Sequence, residues 1–235
     1  MRAVVCRAWC DPSGLRVEDA PDPPLTSDGV RIAVRAAGLN FADTLIIAGN
    51  YQIKPPLPFS PGFEVAGRVL ECAPGVTRCR PGDRVMAVLE HGGFAEQVVA
   101  AEDGVFVLPD TIDDVTAAGF PVAYGTSHLG LKYKAGLAWG EILLVNGAAG
   151  GVGLTAIEIG KRLGATVIAT ASGAEKVQVC ADAGADHALE SRSDDLRDRI
   201  KAATGGRGVA MSSTIPSVAT CSTCRCVRPR PVAVS

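Results

Sequence analysis

ILLVNGAAGGVG, residues 142–153, decides the fold. Four apolar residues in a row, 142–145, read as a strand buried on both faces. Glycines at 147, 150, 151 and 153 allow a tight turn and a close approach of backbone to a ligand. Residues 152–163 then read as a helix, and Gly164 stands where a helix-ending glycine belongs. Strand, glycine turn and helix bring backbone N–H groups and a positive helix end to one place, which suits a pyrophosphate. The first glycine of the G-x-G-x-x-G pattern is replaced by Ala148, so the motif alone is weak. A second strand at 166–170, at the spacing of a βαβ unit, strengthens it, and the stretch predicts dinucleotide binding.

Downstream, strands and helices alternate. Ser172 and Glu175 fit an S-x-x-E capping box for a helix that ends near Gly184. A third strand is expected at 187–189. Ser193 can cap a further helix, with Asp194 and Asp195 in its first turn, Lys201 near its end and Gly205–Gly206 closing it. A fourth strand is due near Gly208, but 211–235 is rich in Ser, Thr, Cys, Arg and Pro without periodicity, so the sheet is expected to stop at three strands. Upstream, short β-rich runs at 2–6, 15–18, 30–36, 62–70, 83–88, 94–99 and 105–108 alternate with turn residues. Pro-Gly pairs at 61, 74 and 81 mark turns, a short helix is expected at 41–48, and helical patterns at 113–118 and 125–133.

The chain has 235 residues, room for two domains, and its 47% hydrophobic and 20% charged content is that of a globular protein. A net charge of −2 gives no general attraction to nucleic acid or anionic membrane. Arg7 and Asp11 interrupt the apolar start, so no secretory signal is expected. The least charged run, 142–157, is short for a membrane span and is broken by glycines and Asn146. Cys6, Cys10, Cys72, Cys79 and Cys180 are scattered like reduced cytosolic thiols. Cys221, Cys224 and Cys226 lack a fourth ligand nearby, and His91, His128 and His187 lack ligand spacing, so no metal is expected. A cytoplasmic protein follows.

The stretches AAGLNFADTLIIAGNY, PFSPGFEVAGRV, PGDRVMAV, GGFAEQVV, GFPVAYGTSHLGL and VNGAAGGVG, in this order, resemble the zinc-free quinone oxidoreductase (zeta-crystallin-like) group of the medium-chain dehydrogenase/reductases. The resemblance covers residues 1 to about 209. It implies a mixed α/β fold: a GroES-like β-rich catalytic domain at 1–118, then a partial, doubly wound Rossmann domain at 119–209 that binds NADPH in the cleft between them. An aberrant, disordered tail is expected at 210–235. Zinc-dependent relatives carry Cys, His and Cys where this chain has Asn40, Phe63 and the neighbourhood of Phe120, which form no zinc ligand set. The cysteine lobe of those relatives is absent too, since no cysteine lies between Cys79 and Cys180.

The resemblance implies that Asn40, Asp43 and Tyr51 line the substrate side. Asn40 can equally cap the helix that starts at Phe41, with Asp43 at its third position. Leu45 stands where several relatives have tyrosine. Tyr124 resembles the residue beside the nicotinamide, or is an ordinary helix-start aromatic. Gly147, Ala149, Gly150, Gly151 and Val152 would meet the pyrophosphate through their backbone. NAD enzymes place an acid at the end of the second strand; this chain has Thr170, Ala171 and Ser172, then Lys176 one turn later. Lys176 can meet a 2′-phosphate or be a merely solvated lysine, and NADPH is favoured. The implied chemistry is direct hydride transfer to a quinone or to the β-carbon of an enone, with the last proton from solvent.

Two further readings stay open: a truncated derivative without turnover, and a non-enzymatic structural or interaction protein on the same fold. Relatives suggest a homodimer, with a small quinone or enone as the other partner and neither nucleic acid nor membrane. Shifted by one base, back-translation of 210–226 can spell DVVYDPVGGDLFD, a strand, glycine turn and helix start. We therefore expect the tail to be a frameshift product.

Overall fold

The computed structural model describes residues 1–206, Val209 and the backbone of Met211–Thr214. The chain divides into two compact units, Met1–Val122 and a second that begins at Ala123. The cysteine-rich tail and its frame-shifted reading lie outside the described residues, as does most of the tail expected to be disordered.

In the first unit, β1 (Arg2–Val5) and β2 (Arg16–Asp19) form an antiparallel ribbon. Five further strands, β3 (Gly29–Ala37), β4 (Glu64–Cys72), β5 (Arg84–Val88), β6 (Gln97–Ala101) and β7 (Val105–Val107), form an antiparallel sheet in the order β6-β3-β4-β5-β7. Their inward positions alternate with polar ones, so Val30, Ile32, Val65, Val69, Val85 and Val98 meet in one core. Each such side chain contributes about 1.5–3 kcal/mol by leaving water. The strand expected at 94–99 starts later, at Gln97, because Phe94 is held across the chain: its N–H donates to the Pro61 carbonyl and its carbonyl accepts from Val4. Two short helices follow the pattern, α1 (Phe41–Ile47) and α2 (Asp114–Ala118), the latter capped by Asp113, whose carboxylate accepts from Thr116 N–H at 2.8 Å.

The second unit carries α3 (Pro121–His128, which begins just before the division), a π-helical turn over Leu129–Lys134, and four parallel strands. These are β8 (Ile142–Asn146), β9 (Thr166–Ala171), β10 (His187–Glu190) and β11 (Met211–Thr214), alternating with α4 (Gly151–Arg162), α5 (Ala174–Asp182) and α6 (Leu196–Ala203). The strand order is β10-β9-β8-β11, which is 3-2-1-4 of the doubly wound sheet. Ile142, Leu143, Leu144 and Val145 are buried, as a strand flanked on both edges and covered on both faces requires.

Three expectations are corrected. The sheet does not stop at three strands, since β11 pairs in parallel with β8, Met211 opposite Leu143 and Thr214 opposite Asn146. A parallel ladder is built from backbone N–H and C=O groups. Val209 packs on the cluster of Ile142, Leu144, Ile168 and Leu189 and brings the chain alongside β8, although Met-Ser-Ser-Thr lacks the apolar run of a central strand. Ser172 does not cap α5; the N-cap is Gly173, at φ 89°. Ser193 does not cap α6 either, because an intervening turn makes Asp195 the N-cap, and the Ser193 hydroxyl bonds the Asp195 carboxylate.

Two constraints can be measured. A Cβ on Gly67 would run into the Ala33 carbonyl oxygen across the β3–β4 ladder, next to a register shift. Gly67→Ala should therefore cost the first unit about 1–3 kcal/mol in urea unfolding, the range for overpacking; unchanged stability would show that the ladder yields there. In the second unit, Asp186 accepts from Lys161 Nζ at 2.6 and 2.7 Å and from Val167 N–H at 2.7 Å, tying α4 to the sheet. Burial pushes this carboxyl up, but the Lys161 and Val167 hydrogen bonds prevail and hold it below the ordinary range. A depressed folded-state pKa gives stability that is present above the unfolded value and lost as pH falls through the folded one. Wild-type stability should drop below about pH 4, and Asp186→Asn should flatten that part of the curve.

Candidate functional site

The second unit builds a glycine cradle. β8 ends at Asn146, and the chain reverses through Gly147, at φ 63°, into Gly150, the extended N-cap of α4. The first N–H groups of a helix have no acceptor within it, and Leu154 is the residue whose N–H closes back on Gly150 O, at 2.9 Å. The N–H groups of Gly151, Val152 and Gly153 therefore stand at the positive end of a 12-residue helix. Gly153 has to be glycine, because a Cβ there would lie 2.5 Å from the Ala148 carbonyl oxygen. Ala148 is tolerated in place of the first motif glycine because its methyl is buried in the core and its N–H donates to Thr170 O at 2.9 Å. This arrangement fits a pyrophosphate on the N–H groups that start α4.

Polar side chains hold the cradle against the preceding helix. Thr155 Oγ1 meets Ser127 Oγ at 2.8 Å, Ala123 O at 3.1 Å and Val152 O at 3.0 Å. Tyr124 Oη donates to Glu158 Oε2 at 2.5 Å, and that bond raises the phenol above its ordinary range. Glu158 was not a sequence candidate. It meets Tyr124 only because α3 returns alongside α4.

At the end of β9, Ser172 is half-buried, Gly173 turns the chain, and Lys176 is exposed in the first turn of α5. No acid directly follows the end of β9 in sequence, yet one stands there in space. Glu190, opposite Ala171 at the end of β10, accepts from Gly173 N–H at 2.6 Å through Oε2 and from Arg192 N–H at 3.1 Å through Oε1.

In the first unit, Asn40 caps α1, and a capping box with Asp43 closes the first turn. Asp43 is 4% exposed; its Oδ2 accepts from Asn40 N–H at 2.7 Å and its Oδ1 from Gly62 N–H at 3.1 Å. Asn40 Nδ2 donates to Glu64 Oε1 at 2.8 Å, and Glu64 Oε2 accepts from Val122 N–H at 2.8 Å. Burial pushes both carboxyls up, against the pull of these donors. Glu64 was also missed, and the available signal was an acid placed just before the apolar run of β4. Tyr51 packs on Phe63 with ring centroids 5.3 Å apart, and Leu45 is half-buried nearby on α1. Among the described residues no group of three His, Cys, Asp or Glu is placed to hold a metal ion. No helix among them is long and apolar enough to cross a membrane.

Residues 26–110 match the alcohol dehydrogenase GroES-like domain, and residues 151–229 match the zinc-binding dehydrogenase family. A quinone oxidoreductase-like protein 2 homolog of Nematostella vectensis is 37% identical over 209 residues, 88% of this chain and 57% of that protein. A probable oxidoreductase from Mycobacterium abscessus superposes with a TM-score of 0.84 at 37% identity, covering 90% of this chain and 68% of the other. Escherichia coli quinone oxidoreductase, solved in complex with NADPH, gives a TM-score of 0.83 at 31% identity, covering 89% and 64%. The chain thus spans less than two thirds of the curated relatives first matched, 57–59% of their length. The antiparallel first unit is GroES-like and the parallel second unit is an incomplete Rossmann sheet, so the chain belongs to the medium-chain dehydrogenase/reductase family, in its quinone oxidoreductase group.

Proposed function

We propose that this chain binds NADPH and acts as a zinc-independent reductase of quinones or activated alkenes. The observation that carries the reading is the cradle: three N–H groups at the start of α4, reached through glycines, with Lys176 on the neighbouring α5. That a relative is solved with NADPH supports the choice of nucleotide. NADPH, when bound, supplies the hydride.

The residues of the chain then have separate tasks. Gly151, Val152 and Gly153 orient the pyrophosphate through backbone N–H groups, with Gly147, Ala149 and Gly150 shaping the turn before them. Ser172 and Lys176 receive the 2′-phosphate, Lys176 as a mobile point charge. Tyr124, held by Glu158, presents its ring on the nicotinamide side. Asn40 donates one Nδ2 hydrogen to Glu64 and offers the second to a substrate carbonyl, where negative charge develops. Asp43 and Glu64 are positioning residues, since their oxygens already accept N–H donors. Tyr51 adds an apolar wall. None of these groups is a free acid, so the last proton comes from solvent. By resemblance, Asn40, Phe63 and the neighbourhood of Phe120 take the places of a zinc enzyme's ligands, which supports a reaction without metal.

Lys176→Ala should weaken NADPH on the order of tenfold, the worth of one charge-assisted contact, and leave NADH nearly unchanged. Fluorescence titration of both nucleotides checks this, and equal losses would refute the 2′-phosphate assignment. Glu64→Gln sets an amide NH2 against the Asn40 or Val122 donor. It should destabilise the first unit by about 1–3 kcal/mol and lower kcat for a quinone without changing NADPH affinity. Unaltered urea unfolding and unaltered kcat would show that Glu64 positions nothing.

A further inference from the structure

The end of β9 holds a feature that opposes the nucleotide preference proposed above. Gly173, at φ 89° and ψ 145°, turns the chain into α5, and no side chain caps that helix. Its N–H belongs to the loop in which Ser172 and Lys176 would receive a 2′-phosphate. That N–H is occupied: Glu190 Oε2 accepts it at 2.6 Å, while Oε1 accepts Arg192 N–H at 3.1 Å. The parallel register sets Glu190 opposite Ala171, and Ser191 N–H donates to Ala171 O at 2.8 Å, so the base of the side chain is fixed by the sheet. The two backbone donors, Arg192 first, also hold the carboxyl below its ordinary range, which keeps it charged at neutral pH.

We propose that Glu190 is a specificity-determining residue that competes with the 2′-phosphate of NADPH for the Gly173 N–H and lowers the preference for NADPH over NADH. The inference rests on the 2′-phosphate reading of Ser172 and Lys176. A phosphate of nearly two negative charges entering this loop meets an acid already seated on one of its donors. It has to displace that acid and then share the loop with it. The neighbouring charges are mixed: Lys176 and Arg192 favour the phosphate, and Glu175 on the first turn of α5 adds to the repulsion. For a nucleotide with a free 2′-hydroxyl the same carboxylate is an acceptor, the role an acid at the end of the second strand plays in NAD enzymes. Here the acid comes from the third strand.

The test uses 2′,5′-ADP and 5′-AMP, which differ by the 2′-phosphate alone, titrated calorimetrically into the full chain. Glu190→Gln keeps the size and removes the charge. It should tighten 2′,5′-ADP about fivefold to tenfold, by removing one close like charge, and change 5′-AMP less than about twofold. The gain should shrink as salt rises from low to about 0.5 M, because the effect is Coulombic and near the surface. Glu190→Ala should shift the ratio of the two affinities in the same direction, a check should Gln perturb the loop. If Lys176→Ala weakens 2′,5′-ADP while neither Glu190 variant alters the ratio, the inference falls and the NADPH reading stands. If wild type holds both probes equally and no variant separates them, the 2′-phosphate reading itself fails. Equal weakening of both probes by the Glu190 variants would make the residue a loop support and also overturn the inference.

Discussion

The contact between Gly153 and Ala148 is the constraint on which the second unit depends. A helix can follow a buried central strand and still point its first N–H groups back at the strand end only if the two backbones nearly touch. A Cβ at 153 would stand 2.5 Å from the Ala148 carbonyl oxygen, so nothing larger than glycine closes that turn. Once closed, the rest follows from burial. α4 lays Ala156 and Ile157 on β8 and β9, Ala148 sits in the core, and Thr155 reaches Ser127 and Ala123. The anion site is therefore a by-product of packing rather than an addition to it.

The replacement of the first motif glycine shows which of the glycines matter, and why. Ala148 faces inward, where a methyl adds to the core and costs nothing. Gly153 faces a carbonyl, where a methyl has no room. A sequence pattern treats these positions alike; the direction of the Cβ separates them.

Much of the fold was legible, and the reason lies in the range of the forces. The strand at 142–145, the helix after it, the short helix near 113–118 and the β-rich runs of the first unit are fixed by neighbours within a few residues. What escaped was set by distant partners. β11 is a strand because β8 offers an unpaired backbone edge and Val209 anchors the approach, not because Met-Ser-Ser-Thr favours it. Ser172 and Ser193 have cap chemistry, but Gly173 and the turn before α6 moved the helix starts by one and two residues. Glu64, Glu158 and Glu190 went unnoticed for the same reason. An acid reads as surface until the structure shows which N–H or hydroxyl it accepts.

Those acids also explain how the two units divide their electrostatics. In the first unit, the carboxylates of Asp43 and Glu64 lie in the interior and spend their four oxygens on four N–H donors, from Asn40 main chain, Gly62, Asn40 side chain and Val122. Desolvating two carboxylates is costly, and hydrogen bonds from fixed donors offset it only where every oxygen has a partner. The result is a rigid mount: Asn40 is held at its backbone by one acid and at its side chain by the other, so its amide has a single orientation. The second unit does the reverse. It leaves the N–H groups at the start of α4 unspent by the helix and places no acid in that helix's first turn, so an arriving anion meets preorganised donors at little reorganisation cost. Glu190 breaks that rule at the adjacent loop by spending a donor on a resident carboxylate. A site that fills one of its own N–H groups must be weaker for an anion there than a site that leaves it open. Nucleotide selectivity in this fold therefore depends on which donors the protein itself already uses, as much as on the positive charges that surround them.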